Sequence, residues 1–302
     1  MLIKDLEKFA NNIKSEILFD FDIKNFNWFN IGGKTRIFFK PNSLKELVEF
    51  LKLYSNRGKI FILGSGSNVL FSDETFQGSI IKLGRSFSNI SILNEGIIVA
   101  GASSTQKKLS EFAKENNIGG LEFMSCIPGS VGGGIRMNSG CFNNEFKDVL
   151  ISLQIIDYEG QIKTIPANKI NFAYRNTDLP KDIIFLSATF KGFKKNKFEI
   201  QKCMDEFKKK KETSQPTKIK TSGSTFKNPV DQTDKKVWQL IKESVPLEKS
   251  FGEASISEKH CNFFVNRGNA KFEDMKKLIE FVSKSVLKKT GIKLETEIKI
   301  LE

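Results

Sequence analysis

The segment Ile127–Gly140, IPGSVGGGIRMNSG, limits this chain more than any other. Five glycines, one proline, two serines and one asparagine fall within its 14 residues. Each glycine inside a helix costs roughly 1 kcal/mol relative to alanine, and glycine and proline also weaken strands. A regular helix is therefore not expected here, and a strand would be poor. Two readings remain: a long flexible loop, or a backbone that lies so close to a ligand that side chains would be in the way.

The surroundings alternate short strands with a few helices. Residues 43–57 read as a helix: Ser43 and Glu46 have capping-box spacing, Leu44, Leu47, Val48 and Leu51 form an apolar stripe, and Gly58 follows. KIFIL reads as a short buried strand running into GSGSN, and GSIIKL and GIIVAGA read as further strands. Residues 103–117 read as a helix with Leu109, Phe112 and Ala113 inward. ISLQIID, GQIKTI and IIFLSATF read as strands, with Gly160 turning between the first two. Strands this frequent do not fit a doubly wound sheet, where a helix would follow each one. The expected class is α+β.

Residues 198–211 read as a connecting helix, and the loop at 215–229 contains two prolines. Residues 237–242 lie in one further helix. Residues 272–289 form another, with Met275, Leu278, Ile279, Val282 and Val286 on one stripe and Gly291 beyond it. The chain ends on IKLETEIKIL, read as a strand. Alternation puts Ile292, Leu294, Thr296, Ile298 and Ile300 on one face, with Glu295 and Glu297 on the other. The expected organisation is an N-terminal segment over 1–26, a domain of two α+β lobes over 27–197, and a smaller α/β domain over 198–302.

A chain of 302 residues has room for two or three domains. No run of about 18 apolar residues occurs, so no membrane span or membrane partner is expected. The first 26 residues lack the apolar core and small-residue site of a secretory signal, and a cytoplasmic protein is expected. Cys126, Cys141, Cys203 and Cys261 make no CxxC clamp, so neither a disulfide framework nor a zinc site is expected. His260 is the one histidine, which removes His-rich metal centres, and no metal is expected. The net charge of +13 fits a nucleic-acid partner or phosphate-rich substrates. Yet the lysines are spread along the chain, and phenylalanine (28) far exceeds tyrosine (3), as compositional drift would produce. No RNA-binding aromatic signature or helix-turn-helix pattern accompanies the charge, and no nucleic-acid partner is expected.

LGSGSNVL, residues 63–70, is a second glycine loop directly after a strand. Its amides and hydroxyls could form a nest for an anion such as a pyrophosphate. It is not the dinucleotide fingerprint, because no third glycine follows three residues after Gly66 and no helix clearly follows. Two such loops suggest one ligand gripped from two sides; a tight turn explains either loop alone, and both together less well.

LGSGSNVL, IPGSVGGGIRMNSG, FAYRNT, GSTFKNP, EKHCNFFVN and LETEI occur in that order. With these motifs the chain closely resembles the UDP-N-acetylenolpyruvoylglucosamine reductase family, flavoenzymes of peptidoglycan precursor synthesis, from about Asn27 to the end. Its length and the short RNTDLPKD segment resemble the family's short form. The resemblance implies an FAD-binding domain of the vanillyl-alcohol-oxidase (PCMH) type and a smaller α/β substrate domain. It implies noncovalent FAD, NADPH as co-substrate and UDP-N-acetylglucosamine enolpyruvate as substrate; a monomer is expected. It assigns cofactor binding to Gly64, Ser65, Gly66, Ser67 and Asn68, to Gly101, and to Pro128, Gly129, Ser130, Gly132, Gly133 and Asn138. The amides of Ser130 and its neighbours would point at the cofactor. Arg136 and Cys141 stand where less polar or smaller residues are expected, and Cys141 is read as a plain buried residue.

The implied chemistry passes a hydride through flavin N5 to the substrate's methylene carbon, which builds an enolate, and a proton must then reach the adjacent carbon. Ser224 matches the family's proton donor, although local sequence alone makes it an ordinary turn serine. Arg175 matches the arginine that steadies the substrate carboxylate, a task that suits its planar fork. Tyr174 would contact substrate or nicotinamide, but in a strand it and Arg175 would face opposite ways. Lys227 and Asn228 would lie beside the nucleotide phosphates, and His260 near the UDP pyrophosphate. Alternation cannot separate Glu295 from Glu297; the family pattern points to Glu297 as the catalytic carboxylate. The competing readings are another FAD oxidase of the same cofactor fold, a basic nucleic-acid-binding protein, and a flavin-free structural relative.

Overall fold

The chain crosses repeatedly between two units. The computed structural model describes residues 2–54, 56–216 and 219–302. One unit gathers Met1–Phe19, Ile37–Ser65 and Gln77–Lys210; the other gathers Asp20–Arg36, Gly66–Phe76 and Lys211–Glu302. A single division at 197/198 does not capture the two excursions over 20–36 and 66–76. The physical reason is that Phe29, Ile31 and Leu70 belong to the second unit's core. No shift in composition marks them.

The first unit has two cores. One lies against a four-stranded sheet in the order Glu16–Asp22, Lys34–Lys40, Phe76–Ile81, Lys59–Ile62. Helices α1 (Leu2–Asn11) and α2 (Leu44–Tyr54) cover it, burying Leu6, Leu47 and Phe50 with Phe39 and Ile81. Phe39 stacks on Phe50 at 4.3 Å between ring centroids. Ser43 Oγ accepts from the Glu46 N–H at 3.2 Å. The Glu46 carboxylate takes the Lys14 N–H and the Ser15 hydroxyl rather than completing the capping box. Lys59–Ile62 runs parallel to residues 78–81, so the LGSGSN loop leaves the carboxyl end of a parallel strand, the usual ligand side of such sheets.

The other core backs a five-stranded antiparallel sheet in the order Ile162–Pro166, Leu150–Asp157, Ile183–Lys191, Ile97–Gly101, Ile90–Asn94. Helices α3 (Gln106–Glu115), α4 (Val131–Arg136) and α5 (Phe146–Val149) pack on it, and α6 (Lys197–Ser214) follows.

Helix α4 overturns the expectation for residues 127–140, because VGGGIR is helical. Its three glycines cost roughly 3 kcal/mol of helix propensity. Val131 and Ile135 are fully buried, and each such side chain contributes about 1.5–3 kcal/mol. The Ser130 hydroxyl also caps the helix by accepting from the Gly133 N–H at 3.2 Å. Tertiary burial thus outweighs the local preference.

The second unit buries Phe226 with residues of α7 (Val237–Ser244) and α8 (Phe272–Thr290). The α8 stripe is at most 5% exposed, and the helix ends at Gly291, with φ 72°. A three-stranded antiparallel sheet joins Ser250–Phe251, Ala254–Ile256 and Phe264–Asn266. The C-terminal strand is shorter than alternation suggests: only Lys299–Leu301 is a strand, parallel to Val69–Phe71. Leu294 and Ile298 are buried as expected, whereas Ile300 is 37% exposed. The segment before the strand pairs with residues 225–227 instead of extending the sheet edge. No helix among the described residues is long and apolar enough to cross a membrane.

Candidate active site

In the first unit, most backbone donors of the glycine segment are spent inside the protein, while the N–H groups of Gly129 and Ser130 donate to no acceptor among the described residues. The N–H of Val131 goes to Ser104 O, that of Gly132 to Ala102 O and that of Gly134 to Ser130 O, at 2.8–2.9 Å. Gly133 donates to the Ser130 cap. This narrows the expectation that the amides of Ser130 and its neighbours point at a cofactor: those of 131–134 build α4, and only those of Gly129 and Ser130 stay open. A Cβ on Gly132 would sit 3.2 Å from Ala102 Cβ, and one on Gly101 would sit 2.1 Å from Phe87 O. Close packing therefore demands glycine at 101 and fits it at 132. Asn138 is fully buried, with Nδ2 donating to Glu145 Oε2 (3.0 Å) and Ala173 O (3.2 Å) and Oδ1 accepting from the Lys147 N–H (3.1 Å). It braces the segment and has no amide atom left over for a ligand. Pro128 is exposed, and Gly129, with φ 141°, gives its carbonyl to the Gln106 N–H at 3.0 Å.

The groups left over fit a phosphate-bearing cofactor. The N–H groups of Gly64 and Ser65 and the Ser65 hydroxyl donate to no acceptor among the described residues. Gly64 lies directly against Ser130, where an added Cβ would sit 2.5 Å from Oγ. Lys82 Nζ donates to Gly64 O. Burial, reinforced by Lys40, pushes the Lys82 pKa down. The Ser104 hydroxyl is 1% exposed and has no partner among the described residues. Gly133 is exposed, and a Cβ there would meet only Ser130 Oγ, at 3.2 Å, so space opens over the segment. Unspent amides, an orphaned hydroxyl and a nearby cation are the donor set a pyrophosphate needs.

Tyr174 and Arg175 are not in a strand. Ala173 pairs with Asn176, so the two residues form the tip of a hairpin, and Arg175 has φ 54°. They therefore lie on the same side, with the guanidinium 5.0 Å from the Tyr174 ring centroid. Arg175 Nη2 donates to Gly140 O at 2.8 Å, and Nη1 lies 3.7 Å from Glu145 Oε1. The side chain is 18% exposed. Arg136, the unexpected residue of the segment, donates to Leu179 O and Pro180 O at 2.8 Å and lies over the Phe185 ring. Its task is to hold that loop.

In the second unit, Ser224 sits on a clamped backbone. Thr225 N–H donates to Asn262 O (2.8 Å), Phe226 N–H to Asn262 Oδ1 (3.0 Å), and Asn262 Nδ2 to Phe226 O (2.9 Å). On the other side Lys227 N–H donates to Glu295 O (2.9 Å) and Glu297 N–H to Thr225 O (2.8 Å). Ser224 and Glu297 are thus brought to neighbouring registers. The Ser224 hydroxyl is half-buried and makes no hydrogen bond among the described residues. The preceding Gly223, at φ 82°, has nothing within 4 Å of an added Cβ. Asn68 Nδ2 donates to Glu297 O at 3.1 Å, so this loop residue holds the carboxylate's backbone. Gly66 packs on Phe26, where a Cβ would fall 2.0 Å from the carbonyl oxygen, and Ser67 is half-buried.

The two terminal glutamates separate by environment. Glu295 is 74% exposed and pairs with Lys227 Nζ at 2.6 Å, while Glu297 is half-buried. Asn228 Oδ1 accepts from the Val237 N–H at 3.0 Å at the start of α7. His260 Nδ1 accepts from the Asn262 N–H at 3.2 Å, its ring packs edge-on against Phe263, and burial pushes its pKa down. Lys82, Glu145 and Asn262 went unassigned in the sequence. Asn262 lies within EKHCNFFVN, but its role as a clamp depends on a partner 36 residues away.

A family profile described as an FAD binding domain matches residues 35–166. It encloses the open Gly64–Ser65 amides and the glycine segment, so the chain is an FAD-binding oxidoreductase. The profile of the UDP-N-acetylenolpyruvoylglucosamine reductase C-terminal domain matches residues 215–301. The chain is 63% identical to UDP-N-acetylenolpyruvoylglucosamine reductase of Pelagibacter ubique (strain HTCC1062) over 302 residues, all of both chains. It is 41% identical to that of Rickettsia bellii (strain RML369-C) over 95% of this chain and 94% of the relative. The crystal structure of the Thermus caldophilus UDP-N-acetylenolpyruvylglucosamine reductase superposes with a TM-score of 0.81 at 27% identity, covering 96% of this chain and 99% of that one. The chain belongs to the UDP-N-acetylenolpyruvoylglucosamine reductase family.

Proposed function

We propose that the protein reduces UDP-N-acetylglucosamine enolpyruvate to UDP-N-acetylmuramate for peptidoglycan precursor synthesis, with NADPH as reductant and FAD held noncovalently, as a cytoplasmic monomer. The observation that carries the reading is the Ser224 hydroxyl, unspent on a rigid backbone beside Glu297. Bound FAD supplies the hydride relay between the nicotinamide and the enolpyruvyl group. The chain's residues bind, orient and supply the proton. Ser224 Oγ–H delivers it to the carbon next to the substrate carboxylate, because an enolate is basic enough to take a proton from an alcohol. Arg175, anchored from behind by Gly140 O, holds that carboxylate with its fork. Tyr174 shares the hairpin tip and contacts substrate or nicotinamide. Glu297 orders the proton donor.

Lys227, Asn228 and His260 receive the UDP phosphates. With Nδ1 accepting, neutral His260 carries its proton on Nε2, where it can serve as a donor. Gly64, Ser65, Ser67 and the segment around Ser130 hold FAD. Both the domain roles and these residue roles rest on the family resemblance together with the open donors described above.

The test is stopped-flow spectroscopy of the two half-reactions in Ser224→Ala. Flavin reduction by NADPH should stay near normal. Reoxidation by the enolpyruvyl substrate should slow by about 10² to 10⁴, the usual worth of a positioned proton donor. Equal slowing of both halves would make Ser224 a structural residue.

A further inference from the structure

No disulfide joins any of the four cysteines, and two of them meet. Cys126 ends the 3-10 turn Glu122–Cys126, and Cys141 lies in the small hairpin of Gly140–Cys141 with Asn144–Glu145. Their Sγ atoms are 3.4 Å apart, and both reach the same acceptor, Phe123 O, at 3.3 and 3.4 Å. Both residues are partly exposed. Together they bracket Ile127–Gly140, the whole glycine segment. The other two thiols lack such a neighbour. Cys261 is 7% exposed and donates to Trp238 O, and Cys203 lies on α6. Burial pushes both of these thiols up in pKa, away from the reactive thiolate.

We propose that Cys126 and Cys141 form a thiol–disulfide exchange site that takes a low-molecular-weight disulfide and closes an intramolecular bond around the glycine segment. One thiolate attacks a sulfur of the incoming disulfide RSSR, forms Cys–S–S–R and expels RS⁻. The second thiolate attacks the protein sulfur of that mixed disulfide, forms the Cys126–Cys141 bond and expels the second RS⁻. The two protein thiols lose two electrons and two protons. RSSR gains both and leaves as two RSH, so no further oxidant is needed. The bond would tie both ends of a chain stretch with five glycines, whose freedom is greatest when unfolded, and this ring closure stabilises the folded form. The inference is independent of the proposed reaction, since it needs neither substrate nor nicotinamide.

The test uses the full-length flavin-loaded protein, equilibrated anaerobically with set ratios of oxidised to reduced glutathione. The samples are acid-quenched, alkylated under denaturing conditions, digested and mapped by mass spectrometry. The expected result is loss of two alkylatable thiols, a mass lower by about 2 Da, and a peptide linking Cys126 to Cys141. Cys203 and Cys261 should remain alkylatable, and the thermal midpoint should rise on oxidation. In Cys126→Ser the exchange should stop at a glutathione adduct on Cys141. The proposal is overturned if both thiols stay alkylatable in the wild-type protein at every ratio, or if the crosslink joins either one to Cys203 or Cys261.

Discussion

The glycine segment of the first unit and the GSTFKNP segment of the other unit have similar sequences. Both are short and carry glycine, serine, asparagine and a proline, although the first has five glycines and the second one. Physically they differ. Around α4 the amides of residues 131–134 are all bonded within the protein, and the Gly134 position leaves no room for a Cβ. Around Ser224 the backbone is equally well bonded, but a hydroxyl and the space beside Gly223 are left open. Thr221 and Thr225 add two buried hydroxyls without a partner among the described residues. Glycine content therefore does not report whether a loop faces a ligand. Unspent donors do, because a buried donor with no partner costs about 1–3 kcal/mol that only a ligand or water can offset.

The comparison breaks most sharply at two adjacent glycines. Gly134→Val would place Cβ 2.5 Å from the Phe146 ring, and overpacking of this kind costs about 1–3 kcal/mol. The thermal midpoint should fall clearly in calorimetry, flavin-loaded or not. Gly133→Ala next to it adds a methyl where only Ser130 Oγ lies near, at 3.2 Å, and regains roughly 1 kcal/mol of helix propensity, so the apoprotein midpoint should not fall while FAD occupancy does. If both variants lose stability alike, the open space over Gly133 belongs to the protein's own packing.

On the other side, Asn262→Ala removes both side-chain bonds to Phe226. Two buried backbone groups lose their partners, at about 1–3 kcal/mol each if nothing replaces them. Urea midpoints should drop, and the substrate half-reaction should slow because Ser224 loses its fixed frame, while reduction by NADPH stays normal. Unaltered reoxidation would show that the clamp serves stability alone.

Much of the scaffold was legible because burial periodicity writes itself into sequence. The α8 stripe and four strands of the five-stranded sheet are examples, whereas the edge strand Ile90–Asn94 was not read. What escaped depends on contacts distant in the chain. Three glycines became helical because Val131 and Ile135 are buried, which no local propensity records. The Tyr174–Arg175 turn has arginine at a positive φ, where glycine or asparagine would have announced a turn. Asn68 and Asn138 sit in the expected loops, yet each spends side-chain groups on bracing: Asn68 on Glu297 and Asn138 on Glu145. Residues 66–76 join the second unit through Leu70, one apolar residue among many.

A smaller effect separates the units by pH. His260 has its pKa pushed down by burial, so the folded chain binds its proton less readily than the unfolded chain, where the value is about 6.5. Between the lowered native value and about 6.5 the unfolded state holds more protons, so stability rises with pH across that window and is lost as pH falls through it. Urea midpoints measured from pH 5 to 8 should show this slope in the wild type and a flatter one in His260→Gln. An equal slope in both would place the titration elsewhere.

The smallest effect falls on Glu295. Its pair with Lys227 Nζ at 2.6 Å joins a carboxylate that is 74% exposed to an ammonium that is only 11% exposed. With the carboxylate largely in solvent the pair contributes about 0–1 kcal/mol, so Glu295→Gln should leave the thermal midpoint nearly unchanged. On the proposed role of Lys227 in receiving the UDP phosphates, Glu295 would compete with phosphate for the ammonium in the free enzyme. Removing the carboxylate frees the ammonium, and KM for the UDP substrate should fall by up to about fivefold at low salt, with kcat unchanged. Added salt should erase the gain, since it screens both partners. A KM that rises instead would mean that Glu295 holds Lys227 in position, making the pair part of the binding frame rather than a competitor for it.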